Sequence, residues 1–144
     1  MATERRAEVT WQGDLMSGKG RIESVTSGAF GGLDVDWRAR SEEAGGDTSP
    51  EELIAAAHAS CLSMALSHGL AQAGHAPEEL KTSATVTFQP PEGITKIALE
   101  VVGKVPGIED DAFQEAAQAA KENCPVSKAL AGVPDVSLQA RLES

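Results

Sequence analysis

From Leu53 to Leu66 the chain runs fourteen residues without a formal charge, in the order Leu-Ile-Ala-Ala-Ala-His-Ala-Ser-Cys-Leu-Ser-Met-Ala-Leu. Immediately before it stand Thr48-Ser49, two capping hydroxyls, then Pro50, suited to a first helical turn, and Glu51-Glu52, which favour the positive end of a helix dipole. The pattern predicts a helix that starts at this cap, continues towards Ala73 and stops at Gly74. A helix apolar or weakly polar on every side is expected to be surrounded by other elements, so it is the predicted core. A membrane span is not expected, because the uncharged run is shorter than the roughly 20 apolar residues a bilayer requires and contains His58, Ser60 and Ser63. Cys61 therefore sits in the middle of a packed helix.

The rest of the chain must supply that packing, and 144 residues suffice for a single domain, 1–144, with no disulfide needed for folding. Aromatic residues are only 3% of the chain and Tyr is absent, so the core has to come from Ala, Val, Leu and Ile, and platforms for stacking nucleobases are scarce. The net charge of −10 would repel a phosphate backbone, which excludes nucleic acid as an expected partner. The first residues, Met1-Ala-Thr-Glu-Arg-Arg-Ala-Glu, lack the apolar region of a secretory signal, so a cytoplasmic location is expected. In a reducing compartment two cysteines are catalytic, redox-active or simply buried rather than a permanent staple.

Along the chain, residues 7–13 and about 20–25 alternate as two strands around the turn-forming Gly13 to Gly20. Leu33 to Trp37 alternates as a third strand, Arg38-Ala39-Arg40 follows at its end, and Ser41 to Asp47 is acidic and Gly-rich enough to be a loop. After the long helix, Ala84 to Gln89 and about 94–105 are strands joined by Pro90-Pro91-Glu92-Gly93. An acidic first turn and many alanines predict a helix from Glu109 to about Glu122, packed through Ile108, Phe113, Ala116 and Ala120. Asn123-Cys124-Pro125 interrupts it, Val126 to Leu130 restarts a short helix, and Val136 to Leu142 alternates as the last strand. The order β-β-β-α-β-β-α-α-β is an α+β pattern, with no βαβ repeat expected and no phosphate-binding fingerprint.

The two thiols differ in local setting. Cys61 lies mid-helix, where neither end of the dipole helps it and an apolar environment alone would raise its pKa. His58 is one turn earlier on the same side, which makes a Cys/His pair geometrically possible alongside a simple hydrogen bond within the core. Cys124, just before Pro125, occupies the cap of a short helix, where free N–H groups lower a thiol pKa. Local electrostatics alone thus nominates Cys124 as the reactive thiol. A separation of 124 − 61 = 63 residues excludes C-x-x-C chemistry, and with His68 and His75 at or beyond the far end of the helix no metal site is expected.

Thr48-Ser49-Pro50-Glu51-Glu52-Leu53, Ala57-His58-Ala59-Ser60-Cys61 with Ser63-Met64-Ala65-Leu66-Ser67, and Asn123-Cys124-Pro125-Val126-Ser127-Lys128 together resemble the OsmC/Ohr family of thiol-dependent hydroperoxide reductases, and more closely its OsmC branch. Trp11-Gln12-Gly13-Asp14, Gly18-Lys19-Gly20 and Ile94 to Leu99 extend the likeness over nearly the whole chain. The resemblance implies two small antiparallel sheets around a long central Cys-bearing helix, in an intertwined homodimer. It implies a peroxidase without metal, flavin or other cofactor, in which Cys61 attacks an organic hydroperoxide, or hydrogen peroxide, and Cys124 resolves the sulfenic acid as a disulfide. A dithiol or a lipoyl-bearing protein is then the reductant. It also implies an arginine and a glutamate beside the reactive thiol: Glu51 for the glutamate, and Arg40 for the arginine, with Arg38 as the alternative because residues two apart in a strand share a face.

That chemistry is coherent with the residue types, since displacement on a peroxide oxygen needs a thiolate, a guanidinium can stabilise it, and a carboxylate can orient the guanidinium. Glu51 and Cys61, however, are 61 − 51 = 10 residues apart, about 15 Å along a continuous helix, too far to touch one peroxide. Either the helix breaks after its first turn or Glu51 serves the Cys61 of a second subunit, and the uncharged helix likewise suggests burial that one subunit cannot supply. Two other functions remain open on the same fold: a non-catalytic redox sensor, and a stress protein binding an apolar ligand.

Overall fold

A computed structural model describes residues 2–143. The chain divides into two compact units, Met1–Leu53 and Ile54–Ser144, with one long helix crossing the division.

In the first unit, β1 (Ala7–Gln12), β2 (Lys19–Val25) and β3 (Leu33–Val35) form an antiparallel sheet in that order. The β1–β2 turn is closed by Asp14, which accepts from the N–H of Ser17 through its side chain at 2.8 Å and from that of Gly18 through its carbonyl at 2.9 Å. Gly20 is required where it stands, because a Cβ there would lie 2.7 Å from the Trp11 ring and 2.8 Å from Val35. β3 stops earlier than its alternation predicts, and residues expected to finish a strand and enter a loop form a short helix, α1 (Trp37–Ser41). The cause is Asp36, whose carboxylate accepts from the Ala39 N–H at 2.7 Å and caps the turn.

The long helix, α2 (Pro50–Gln72), begins as the cap pattern predicts: the Ser49 hydroxyl accepts from the Glu52 N–H at 3.1 Å and Pro50 is its first residue. It ends at Gly74, whose φ of +87° lets the Gly74 N–H reach the Ala71 carbonyl and the His75 N–H reach that of Leu70.

In the second unit, β4 (Glu79–Gln89) and β5 (Gly93–Lys104) form the predicted antiparallel hairpin. The chain then crosses through α3 (Asp110–Asn123) and α4 (Pro125–Ala129) to β6 (Asp135–Leu142). Here two expectations are corrected. β6 pairs with β5 in parallel, so the second sheet is mixed rather than antiparallel, and β5-α3-α4-β6 is a βαβ unit. The two helices between the strands supply the long crossover that parallel neighbours need. Leu62, Leu66 and Leu70 of α2, Ile97, Leu99 and Val101 of β5, and Phe113, Ala117 and Ala120 of α3 make the core. Phe113 fits over Gly103, where a Cβ would meet its ring at 2.8 Å.

The expectation that α2 is enclosed on all sides is also corrected. His58, Leu62, Leu66 and Leu70, spaced by one turn, form a fully buried stripe, whereas Ala56, Ala57, Ser60 and His68 are exposed and Met64 is 72% exposed. Within one chain a single stripe of this helix, which carries no formal charge after Glu52, finds a cover. By length and composition alone α2 would suffice to cross a membrane. Its Leu62, Leu66 and Leu70 stripe is embedded in the core of the second unit.

Candidate active site

Cys124 sits between two helices because Pro125 cannot continue α3. Its backbone is non-helical (φ −59°, ψ 122°), yet its N–H still bonds the Ala120 carbonyl at 2.9 Å and its carbonyl accepts from the Lys128 N–H at 3.1 Å. The side chain is therefore fixed from both sides and is fully buried. Burial, the largest single influence, would raise the Cys124 pKa. Hydrogen bonds with Cys61, the Ser127 N–H, the Ser127 hydroxyl and the Val126 N–H outweigh it and hold the thiol below its ordinary value.

Cys61 projects from the middle of α2 towards the same place and is half-buried. Burial pushes its thiol up, the hydrogen bond with Cys124 pushes it further, and the Val126 N–H offsets only part of this. Both cysteines are free thiols, so the arrangement is one in which the Cys61 S–H donates towards a Cys124 sulfur that favours the anion. Local reasoning on helix termini predicted this order. Exposure runs the other way: the better anion has no surface, and the thiol a solute can reach is the one held protonated.

His58, one turn before Cys61, is fully buried, and its Nε2 lies 2.7 Å from the Ser127 hydroxyl on α4. The sequence offered His58 as a possible partner for Cys61; its hydrogen bond instead goes to Ser127, three residues after Cys124. Nothing in the sequence singled out Ser127 beyond its place three residues after Cys124, and the 69 residues separating it from His58 hid the link.

The other two expected residues belong to the first unit. The Arg40 Nε–H donates to both carboxylate oxygens of Glu51, at 3.1 and 3.2 Å, and the Glu51 side chain is only 9% exposed. Arg38 behaves differently. In a helix, residues two apart are about 200° apart around the axis rather than on one face. Accordingly Arg38 is 73% exposed and, among the described residues, pairs with Glu42 and Glu43, each at 3.9 Å, rather than with Glu51. The choice between the two arginines as partner of Glu51 thus falls to Arg40. Of the two ways to reconcile Glu51 with Cys61, a break in the helix is removed, since α2 is continuous from Pro50 to Gln72.

Two free thiols 63 residues apart in sequence each act on the other's proton affinity, so the fold brings the two sulfurs near each other. The set supplies a nucleophile, a second sulfur and a nearby hydroxyl, and its natural chemistry is two-electron sulfur redox.

Comparison with known proteins points the same way. A family model described as OsmC-like protein matches residues 42–139. Over all of both chains the sequence is 40% identical to Peroxiredoxin OsmC of Escherichia coli strain K12. The crystal structure of the organic hydroperoxide resistance protein OhrB of Bacillus subtilis superposes with a TM-score of 0.63 at 27% identity, covering 96% of this chain and 98% of that one. An OsmC-like protein of unknown function from Vibrio cholerae shares the fold with a TM-score of 0.75 at 18% identity, covering 96% and 99%.

Proposed function

The chain belongs to the OsmC-like family, and on that premise we propose that it is a thiol-dependent peroxidase that reduces organic hydroperoxides, and hydrogen peroxide less readily, through a Cys61/Cys124 disulfide cycle. The observation that carries the proposal is the pair of free thiols that the fold brings near each other, one half-buried and one enclosed.

Cys61 is the attacking thiol because it is the one a substrate can approach. Its thiolate displaces alkoxide from the terminal peroxide oxygen: the O–O bond breaks, an S–O bond forms, and the alkoxide takes a proton to leave as alcohol. Cys124 then attacks the sulfenic sulfur, forming the disulfide and releasing hydroxide, which becomes water. A small dithiol or a lipoyl-bearing protein returns both sulfurs to thiols. The residues carry these steps without a metal or an organic cofactor.

Since its own surroundings keep Cys61 protonated, attack needs a cation, and Arg40, oriented by Glu51, is the group assigned to stabilise its thiolate. Glu51 and Cys61, ten residues apart on one unbroken helix, favour a homodimer in which the pair from one copy serves the thiol of the other. The exposed charge-free face of α2, with Ala56, Ala57, Ser60 and Met64, supports that pairing because a second copy would cover it. The apolar residues around Cys61 favour alkyl or fatty-acyl hydroperoxides.

Hydroperoxide consumption with a dithiol in excess tests the proposal, with intact mass read before reduction. Many equivalents consumed per chain and a loss of two hydrogens are expected. Consumption of a single equivalent would mark a redox sensor, and none at all a binding protein.

A further inference from the structure

Arg40 stands on α1, a helix of five residues with no buried side chain. A helix shorter than roughly 12 residues is marginal in water, and no buried stripe anchors this one, so its conformation depends on its ends. At its start Asp36 is itself extended (φ −152°, ψ 170°), its carboxylate accepts from the Ala39 N–H at 2.7 Å, and its carbonyl accepts from the Arg40 N–H at 3.3 Å. At its end the Ser41 hydroxyl donates to the Trp37 carbonyl at 2.7 Å and the Glu42 N–H to the Arg38 carbonyl at 2.8 Å.

Two patterns compete at Asp36. Leu33, Val35 and Trp37 alternate, and a strand continued along that alternation would put Arg38 and Arg40 on one face. A helix turns them about 200° apart. The difference decides which carboxylate each guanidinium meets. Glu42 and Glu43, both exposed, each lie 3.9 Å from the Arg38 guanidinium, whereas the Arg40 Nε–H donates to both oxygens of the buried Glu51 at 3.1 and 3.2 Å.

We propose that Asp36 is a positioning residue for Arg40: by capping α1 it commits Trp37–Ser41 to helical phase, which turns Arg38 to Glu42 and Glu43 and Arg40 to Glu51.

The frame around α1 does not depend on that cap. The Thr48 N–H donates to the Asp34 carbonyl at 2.8 Å and Val35 bridges Thr48 in parallel, so the segment between them is closed at its neck. Glu51 is held from its own side, because the Ser49 hydroxyl caps the start of α2. Loss of the Asp36 carboxylate therefore frees the phase of one short helix and leaves the β1-β2-β3 sheet and the first turn of α2 in place. The consequence for the chemistry rests on the reading of Arg40 as the group that stabilises the Cys61 thiolate. An Arg40 no longer directed to Glu51 is open to capture by Glu42 or Glu43, and in that share of molecules Cys61 has no oriented cation.

Substitutions at residue 36 test this. Asp36→Ala removes the acceptor, whereas Asp36→Asn and Asp36→Ser keep a side-chain oxygen at the cap and drop the charge. Solvent exchange of the Arg40 Nε–H, followed by isotope-edited NMR with the resonance assigned by its loss in Arg40→Ala, should be about fivefold faster in Asp36→Ala, the factor a typical cap represents. In Asp36→Asn and Asp36→Ser it should return to the parent rate. Backbone amide exchange in β2 is the internal reference and should not change. For a hydroperoxide substrate kcat/KM should fall about fivefold in Asp36→Ala and recover in Asp36→Asn and Asp36→Ser. An Nε–H rate unmoved in Asp36→Ala overturns the proposal. So does a rate as fast in Asp36→Asn as in Asp36→Ala, which would assign the effect to charge and not to the cap, and so does β2 exchange that accelerates in step, which would make the role general stability. Faster Nε–H exchange with kcat/KM unchanged supports the cap and overturns instead the part assigned to Arg40 in peroxide reduction.

Discussion

In the second unit, Cys61 and Cys124 meet through uncharged groups: a thiol, a serine hydroxyl and two backbone N–H groups set which sulfur keeps its proton. In the first unit, Arg40 and Glu51 meet as full charges, the carboxylate almost wholly buried and the guanidinium one-third exposed. The uncharged cluster can order two sulfurs relative to each other, but it leaves the accessible one protonated. In the function proposed above the charged cluster supplies what that sulfur lacks, and reactive chemistry is divided, with the attacking sulfur in one region and its electrostatic activation in another. A helix that begins at Pro50 beside Glu51 and carries Cys61 at its middle belongs to both.

Substitutions break this comparison on either side. The largest effect should come from Cys61→Ser, which removes the sulfur proposed to attack and should return hydroperoxide consumption to the uncatalysed rate in a coupled assay. Cys124→Ser should spare the first attack and stop after one equivalent, with a Cys61 sulfenic acid visible as one added oxygen by mass spectrometry. Arg40→Ala removes the group proposed to activate Cys61 without altering either sulfur. A hydrogen bond to a charged group is worth roughly 1.5–3 kcal/mol, so kcat/KM should fall about 10- to 150-fold, with circular dichroism as the control for folding. Arg38→Ala, at an exposed position with only distant acidic neighbours, should change kcat/KM by less than about twofold and stability by at most roughly 0.5 kcal/mol in thermal denaturation.

The two regions also differ in how far the sequence disclosed them. The start and end of α2 were legible because caps are local: Ser49, Pro50 and Gly74 act within a few residues of themselves. The seat of Cys124 was legible for the same reason, since Pro125 forces the junction and the free N–H groups follow from it. α1 was missed because the alternation of Leu33 to Trp37 continues through Asp36, whose second role as a cap competes with the strand pattern and wins. That miss blurred the choice between Arg38 and Arg40, which only helical phase separates. The parallel pairing of β6 was missed because alternation gives a strand its faces and not its direction. The half-exposed state of α2 was hidden in its composition, because an uncharged helix reads alike whether its cover comes from the same chain or from another. The His58 to Ser127 contact depends on the crossover bringing α4 to α2, which no short-range pattern encodes.

The division of labour between the two regions is tested most directly by the pH profile of Cys61 alkylation, with the modified site identified by mass, in the parent chain and in Arg40→Ala. Burial and the Cys124 contact raise the Cys61 pKa, so without the guanidinium its thiolate should appear only above the ordinary thiol range, and alkylation should rise late as pH increases. In the parent, Arg40 should counter both effects and bring the midpoint below that range. Coincident profiles in the two proteins would contradict the account.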